Sequence, residues 1–546
     1  MTNALHHSAS RRSFLRLAGS VSLAAGFAAA LSSCAPDSDN GSATTTGDDA
    51  PATGGTASES GTITGAISYE LGTNGYDPMT TTAALTVAVN WHTLEGLTEI
   101  DPATRECYPA LATELPKVAD GGTSVDVTLR DGAVFHDGSP VTTEDVVYSF
   151  ERVLDPENAS LYASFIPFIS GVTAKDDTTV TIELAYPVGV LAERLAVVKI
   201  VPKAAASGDR EAFDANPIGT GPWKMTDNGA VSKVVSFERN DDYTGPRPAR
   251  AATMNWQIIP DPATRTNALQ SASVQAIDSV PYLSIDQLKT SSTVESVQGF
   301  GLLFAMFNGT EGNPFADVRV RQAFLYALDM DEIIGTGLTG QAEAASAFVQ
   351  QDHPAFQEAS VVYRLDLEKA KSLFAEAGVT SFRVLATNHD WVKQCTPIIV
   401  ENLKAAGVEV QFEEKQSADA YTTIDGNPDA YDAFIAPGDP SVFGNDADLL
   451  MRWWYGNDIW TDSRMHWKGS ESYDQVQTLL EQGLQATEEQ AQLDAWHEIF
   501  DVISEDVPLY PLFHRKAPTA WDDQSLVDFQ PISLTGLSFV GVASTK

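Results

Sequence analysis

The stretch Phe382-Arg383-Val384-Leu385-Ala386, the run near Val392 to Ala406, and Gly407-Val408-Glu409-Val410-Gln411-Phe412 together decide the fold class. The first segment reads as a strand and the second as a helix. Gly407 ends that helix, because glycine takes positive φ without steric cost. A second strand follows at Val408 to Phe412, giving a β-α-β pattern. A further short strand is expected near Tyr431 to Ile435. Upstream, Asp366 opens a helix that Gly378 closes, and Asp317 precedes one burying Val320, Ala323, Phe324, Ala327 and Leu328. Residues 124 to 130 alternate apolar and polar as in a half-buried strand, and Asp131-Gly132 turns the chain. Thr142 caps a helix with Val146, Val147, Phe150, Val153 and Leu154 on one face. Downstream, Thr487 and Gln490 form a capping box before a helix burying Leu493, Trp496, Phe500 and Ile503. The chain is mixed α/β from about Ile63 onward, with no internal repeat.

At 546 residues, the chain exceeds one ordinary core and divides into several domains. Its formal net charge of -40 repels phosphate backbones and anionic lipid heads, which argues against a nucleic-acid role. The three cysteines, Cys34, Cys107 and Cys395, cannot form a disulfide framework. If Cys34 is otherwise consumed, Cys107 and Cys395 remain as two buried thiols or, under strict geometry, one bridge.

The first 33 residues carry Arg11, Arg12 and Arg16, no acid, and an apolar small-residue run from Leu17 to Leu31. These are signal-peptide features, and the run is too short for a comfortable membrane span. Leu31-Ser32-Ser33-Cys34 resembles a bacterial lipobox, which implies an acylated Cys34 as the mature N-terminus. Arg11 and Arg12, followed by Phe14 and Leu15, resemble a Tat signal; Sec export is the alternative. Residues 35 to 61, dominated by Ser, Thr, Gly, Asp and Ala, read as a flexible linker.

Several motifs occur in a fixed order. They are Tyr76-Asp77-Pro78 with Leu94-Glu95-Gly96-Leu97, and Leu129-Arg130-Asp131-Gly132 with Phe135-His136-Asp137-Gly138. Then come Pro217-Ile218-Gly219-Thr220-Gly221-Pro222-Trp223, Asn313-Pro314-Phe315-Ala316-Asp317-Val318-Arg319-Val320-Arg321, and Glu505-Asp506-Val507-Pro508. The ordered set resembles the peptide/nickel/oligosaccharide class of ABC solute-binding proteins (family 5). That resemblance implies a two-lobed, class II periplasmic-binding-protein-like α/β fold with an extra domain inserted in the first lobe. It implies lobe I at 62–90, 233–309 and 517–546, the inserted domain at 91–232, and lobe II at 310–516, behind a signal peptide (1–33) and a lipidated linker (34–61). Solute would be enclosed between the lobes by closure. Arg319 and Arg321 are expected to pair with nearby carboxylates, and His136 to serve its turn rather than a metal.

Peptide binders of this family hold the ligand ammonium with an aspartate after a strand end. The matching positions here are Gly438 and Asp439 in Ala436-Pro437-Gly438-Asp439-Pro440, although Ala436 replaces the family's aromatic. The alternative role for Asp439 is that of a turn residue. Lys393 begins a helix where some dipeptide binders place a base for the ligand carboxylate; otherwise it is an exposed lysine. Trp453, Trp454, Tyr455 and Trp460 can wall a pocket or fill a core, and Phe304 and Asn308 lie where a strand approaches the cleft. The resemblance implies a monomeric, non-catalytic subunit on the outer face of the cytoplasmic membrane. It would deliver peptide to a permease and ATPase, with no cofactor and no resident metal. An oligosaccharide or a nickel or haem chelate is the alternative cargo. A secreted hydrolase is the rival class, but no His-Glu-x-x-His and no Gly-x-Ser-x-Gly occurs.

Overall fold

Two long antiparallel strands, Thr293–Phe307 and Leu509–Trp521, organise the molecule. Their register runs from Thr293 opposite Trp521 to Gln298 opposite Lys516, breaks, and resumes at Leu302 opposite His514. From Phe300 to Phe307 every residue is buried. Such a run has no alternation, because both faces of the strand are covered. The computed structural model describes residues 56–71, 75–119, 121–486 and 488–546. Arg11, Arg12, Cys34 and most of the linker therefore lie outside the described residues.

On one side of the break, the sheet continues through Ala276–Ile277 to Thr62–Ile67, Thr253–Ile258, Val234–Arg239 and Trp223–Asn228. On the other side it continues through Ala433–Gly438 to Ser381–Thr387 and Glu409–Lys415, and Ala342–Ala344 pairs with the second long strand. The two halves are the two lobes, and only the long strands pass between them in the sheet. A separate three-stranded antiparallel sheet, Ser124–Thr128, Thr179–Leu184 and Ile169–Ala174, builds the extra domain. It lies in sequence between the strands Thr62–Ile67 and Trp223–Asn228.

Local chemistry accounts for these elements. Helix Thr143–Leu154 starts at Thr142, whose side chain and that of Asp145 form a reciprocal capping box. Its Val146, Phe150 and Val153 are buried. Asp317 and Asp366 cap helices Val318–Tyr326 and Leu367–Glu376. Helix Asp390–Ala405 ends before Gly407 at φ +89°. The helix Glu489–Asp506 departs from expectation. Glu488 occupies its N-cap without a side-chain cap bond, and Thr487 lies outside the described residues. Arg319 pairs with Asp317 at 2.6 Å and Arg321 with Asp506 at 2.5 Å. His136 bonds the Gly221 carbonyl, and burial lowers its pKa to about 4. Cys107 and Cys395 are free thiols, the first only half-buried. Among the described residues, no helix is long and apolar enough to cross a membrane.

Candidate functional site

The strand Ala433–Gly438 pairs with Leu302–Phe307 and ends where the lobes face each other. Gly438 is required there by close approach: a Cβ would lie 2.4 Å from Cζ2 of Trp454. Asp439 follows, half-buried, and meets groups from distant parts of the chain. The Thr535 backbone N–H and hydroxyl both donate to its Oδ2 at 3.0 Å. The Ser441 hydroxyl donates to Oδ1, which keeps a lone pair for another donor. Arg105, from the extra domain, donates to the Ser441 carbonyl. Its guanidinium is lowered to about 10 by burial, against the favourable charges of Asp439 and Asp101. Its backbone sits at φ +64°, a conformation a non-glycine residue adopts at a cost. The Asp101 carboxylate fixes that turn by accepting the Ala103 and Thr104 N–H groups at 2.9 Å.

A small cavity of about 40 Å³, open to solvent, adjoins this point. Trp91, Arg105, Tyr162, Phe443 and Leu534 line it, with Glu99 and Lys199 paired at 2.6 Å on its wall. Its walls thus come from stretches far apart in the chain, from Pro78 to Leu534. Arg194, fully buried, also bridges the extra domain and the second lobe: it pairs with Asp446 at 2.5 Å and Asp448 at 2.7 Å.

The other sequence candidates separate into groups. Trp453 is half-buried and stacks on Phe165 (centroids 6.0 Å apart, 22° between planes) and against Phe443, which borders the cavity. Trp454 and Trp460 do not wall it. They are buried in the second lobe's core, against Phe304 and each other, and the Arg464 guanidinium lies 4.2 Å from the Trp460 ring centroid. Phe304 belongs to the same core. Asn308 is fully buried, donates to the Pro428 and Tyr431 carbonyls, and accepts from Thr310 N–H, so its amide holds a turn. Lys393 is exposed and makes no side-chain hydrogen bond among the described residues. It does add, with Arg515, to the positive field that helps burial lower His389 to about 4.

Sequence reading missed Arg105, Thr535 and Arg515. Arg515 lies on the second long strand beside the register break and is 5% exposed. Tyr69 and Tyr282 from one lobe, and His389 and Trp391 from the other, surround it. Among the described residues, no group of three or more His, Cys, Asp or Glu is arranged to hold a metal.

Two lobes joined by paired strands, with polar and aromatic groups converging at the seam, form the frame in which the comparisons place this chain. The chain belongs to the bacterial extracellular solute-binding proteins, family 5, whose middle-region model matches residues 106–475. It is 29% identical over 332 residues to the dipeptide-binding protein of Escherichia coli (strain K12), covering 56% of this chain and 61% of that protein. The chain thus spans about three fifths of the length of the curated relatives it matches. Its fold is similar to that of the dipeptide binding protein from Pseudoalteromonas sp. SM9913 in complex with Met-Leu, at TM-score 0.77 and 19% identity. That match covers 89% of this chain and all of the other. NikZ from Campylobacter jejuni in complex with Ni(L-His) is also similar, at TM-score 0.76 and 20% identity, covering 88% and 99%.

Proposed function

We propose that this chain is the extracytoplasmic solute-binding subunit of an ABC importer, and that it captures peptides between its lobes without chemical turnover. The supporting observation is Asp439, a carboxylate at the seam with an acceptor site to spare. An ammonium leaving water on lobe closure needs such a partner, because an unpaired buried charge is costly. The name of the Escherichia coli relative and the Met-Leu complex of the Pseudoalteromonas protein support the same reading. Cys34 carries the lipid anchor, Arg11 and Arg12 direct Tat export, and the mature monomer works on the outer face of the cytoplasmic membrane, delivering solute to a permease and ATPase. The division into lobe I (62–90, 233–309, 517–546), inserted domain (91–232) and lobe II (310–516) belongs to this proposal. A chelate such as the Ni(L-His) held by NikZ is the second reading. Mass spectrometry of solute released from the purified full-length chain tests it. Peptides are expected; a sugar or a metal chelate would refute the peptide assignment.

A further inference from the structure

Asp439 stands at the head of a segment that the extra domain grips repeatedly. The chain passes from Asp439 through the turn Pro440–Val442 into the helix Ala447–Tyr455. Arg105 donates to the Ser441 carbonyl at the start of this segment. Tyr162 and Phe165 pack on Phe443, with ring centroids 5.0 and 5.6 Å away, and Phe165 also stacks on Trp453. Arg194 takes the two aspartates at the helix start. It bonds the N-cap Asp446 through two nitrogens, at 2.9 and 2.5 Å, and Asp448 at 2.7 Å.

Arg194 is built as a fixed point. It is fully buried, and its Nη1 donates to the Phe165 carbonyl at 2.5 Å, so its own domain orients the guanidinium. The planar fork meets both oxygens of Asp446 at once, which fixes distance and orientation together. Arg194 does not line the cavity beside Asp439, although Ala196, Val197 and Lys199 do. The helix carries its placement onward. Trp454 stands about 9 Å further along the helix axis than Asp448, at 1.5 Å per residue. The Trp454 ring is fully buried and abuts Gly438, where a Cβ would lie 2.4 Å from Cζ2. A shift of the helix therefore moves a ring that is packed on the residue before Asp439, and close-packed interiors transmit such shifts. Thr535 and Ser441 orient the carboxylate of Asp439; Arg194 secures the backbone beneath it.

We infer that Arg194 is a positioning residue for solute capture: from the extra domain, and without lining the cavity, it fixes the segment that begins at Asp439 and so sets how that carboxylate meets the solute's ammonium. The inference rests on the peptide reading above and gives the extra domain a part in recognition. A charge-assisted hydrogen bond depends on distance and angle. A segment left free to shift weakens that contact and spares those that do not run through Asp439.

The test uses the ligand-stripped full-length chain. A mixture of free-amine peptides of two to six residues and the same mixture N-acetylated are offered in turn to wild type, Arg194→Lys and Arg194→Met. Captured peptides are quantified by mass spectrometry. The wild type should favour the free amines by about thirtyfold or more, the range for a buried charge pair losing one partner. Arg194→Met should cut that preference by about tenfold and leave capture of the acetylated mixture nearly unchanged. Arg194→Lys, a point charge without the fork, should fall between the two. Far-UV circular dichroism checks that each variant is folded. If Arg194→Met is not, Asp446→Asn takes its place, since asparagine keeps the helix cap and gives up the ion pair. An equal loss for both mixtures marks a merely structural role and overturns the inference, as does an unchanged preference; the peptide reading then stands. Equal capture of both mixtures by the wild type removes Asp439 from the amine, and the inference falls with that contact. Capture of neither mixture overturns the peptide reading and the inference together.

Discussion

Arg194→Met removes the guanidinium that ties the extra domain to the second lobe. Arg194 donates through Nε to Asp446 Oδ2 at 2.9 Å, through Nη2 to Asp446 Oδ1 at 2.5 Å and Asp448 Oδ2 at 2.7 Å, and through Nη1 to the Phe165 carbonyl at 2.5 Å. Burial opposes its charge, and the two aspartates outweigh burial, so its pKa is raised. Without it, Asp448 keeps only Arg452 at 2.7 Å, and Asp446 keeps only neutral donors such as the Leu449 N–H. Breaking a buried pair by removing one partner costs about 3–5 kcal/mol. Because Asp448 has a second cation, the lower end, about 3 kcal/mol, is expected. Adding Asp446→Asn should recover part of the loss, since asparagine still caps the helix Ala447–Tyr455 but needs no counter-ion. Urea unfolding of the four chains, followed by tryptophan fluorescence and far-UV circular dichroism, gives the coupling. A loss below about 1 kcal/mol for Arg194→Met, or full additivity with Asp446→Asn, would refute the reasoning.

Gly438→Ala places a methyl 2.4 Å from Trp454 and should cost about 1–3 kcal/mol; an unchanged melting temperature would mean that the indole yields freely. His92 is fully buried, donates from Nδ1 to the Ala88 carbonyl and accepts from the Phe539 N–H at Nε2, and burial lowers its pKa to about 4. Between about pH 6.5 and 4 the unfolded chain binds a proton there that the native chain does not, so stability falls as pH falls through that window. At about 1.4 kcal/mol per pKa unit the loss from His92 alone reaches a few kcal/mol. His92→Gln should flatten the pH dependence of the melting temperature, and an equally steep curve in that variant contradicts the assignment. Cys34→Ala should remove the chain from the acylated membrane fraction; unchanged acyl labelling and fractionation would refute the anchor.

Much of the fold was legible where one face of an element is wet. The helix after Thr142 and the pair of strands around Gly407 announce themselves by periodicity and caps. The two long strands did not, because residues such as Leu302 to Phe307 are buried on both faces and show no alternation. For the proposed site, Gly438 and Asp439 were singled out through the resemblance of Ala436-Pro437-Gly438-Asp439-Pro440 to the family's strand end. Arg105, Arg515 and Thr535 could not be, because they come to the neighbourhood of Asp439 and Ser441 from positions up to hundreds of residues away and no local pattern marks them. Of the aromatics that follow Asp439 in sequence, for which pocket wall and core were both open, Trp454 and Trp460 turn into the core. Asn308 follows a strand near the seam, and backbone carbonyls of the neighbouring turn take its amide.

The central claim, that Asp439 receives the amino terminus of a peptide held between the lobes, is tested most directly by titration calorimetry on four combinations. Wild type and Asp439→Ala are each titrated with a captured peptide and with its N-acetylated form. Each single change should weaken binding by roughly thirtyfold or more, the cost of stranding one partner of a buried pair. The two losses should not add, because each removes the same contact. Full additivity, or equal affinity of the wild type for free and acetylated peptides, would contradict the account.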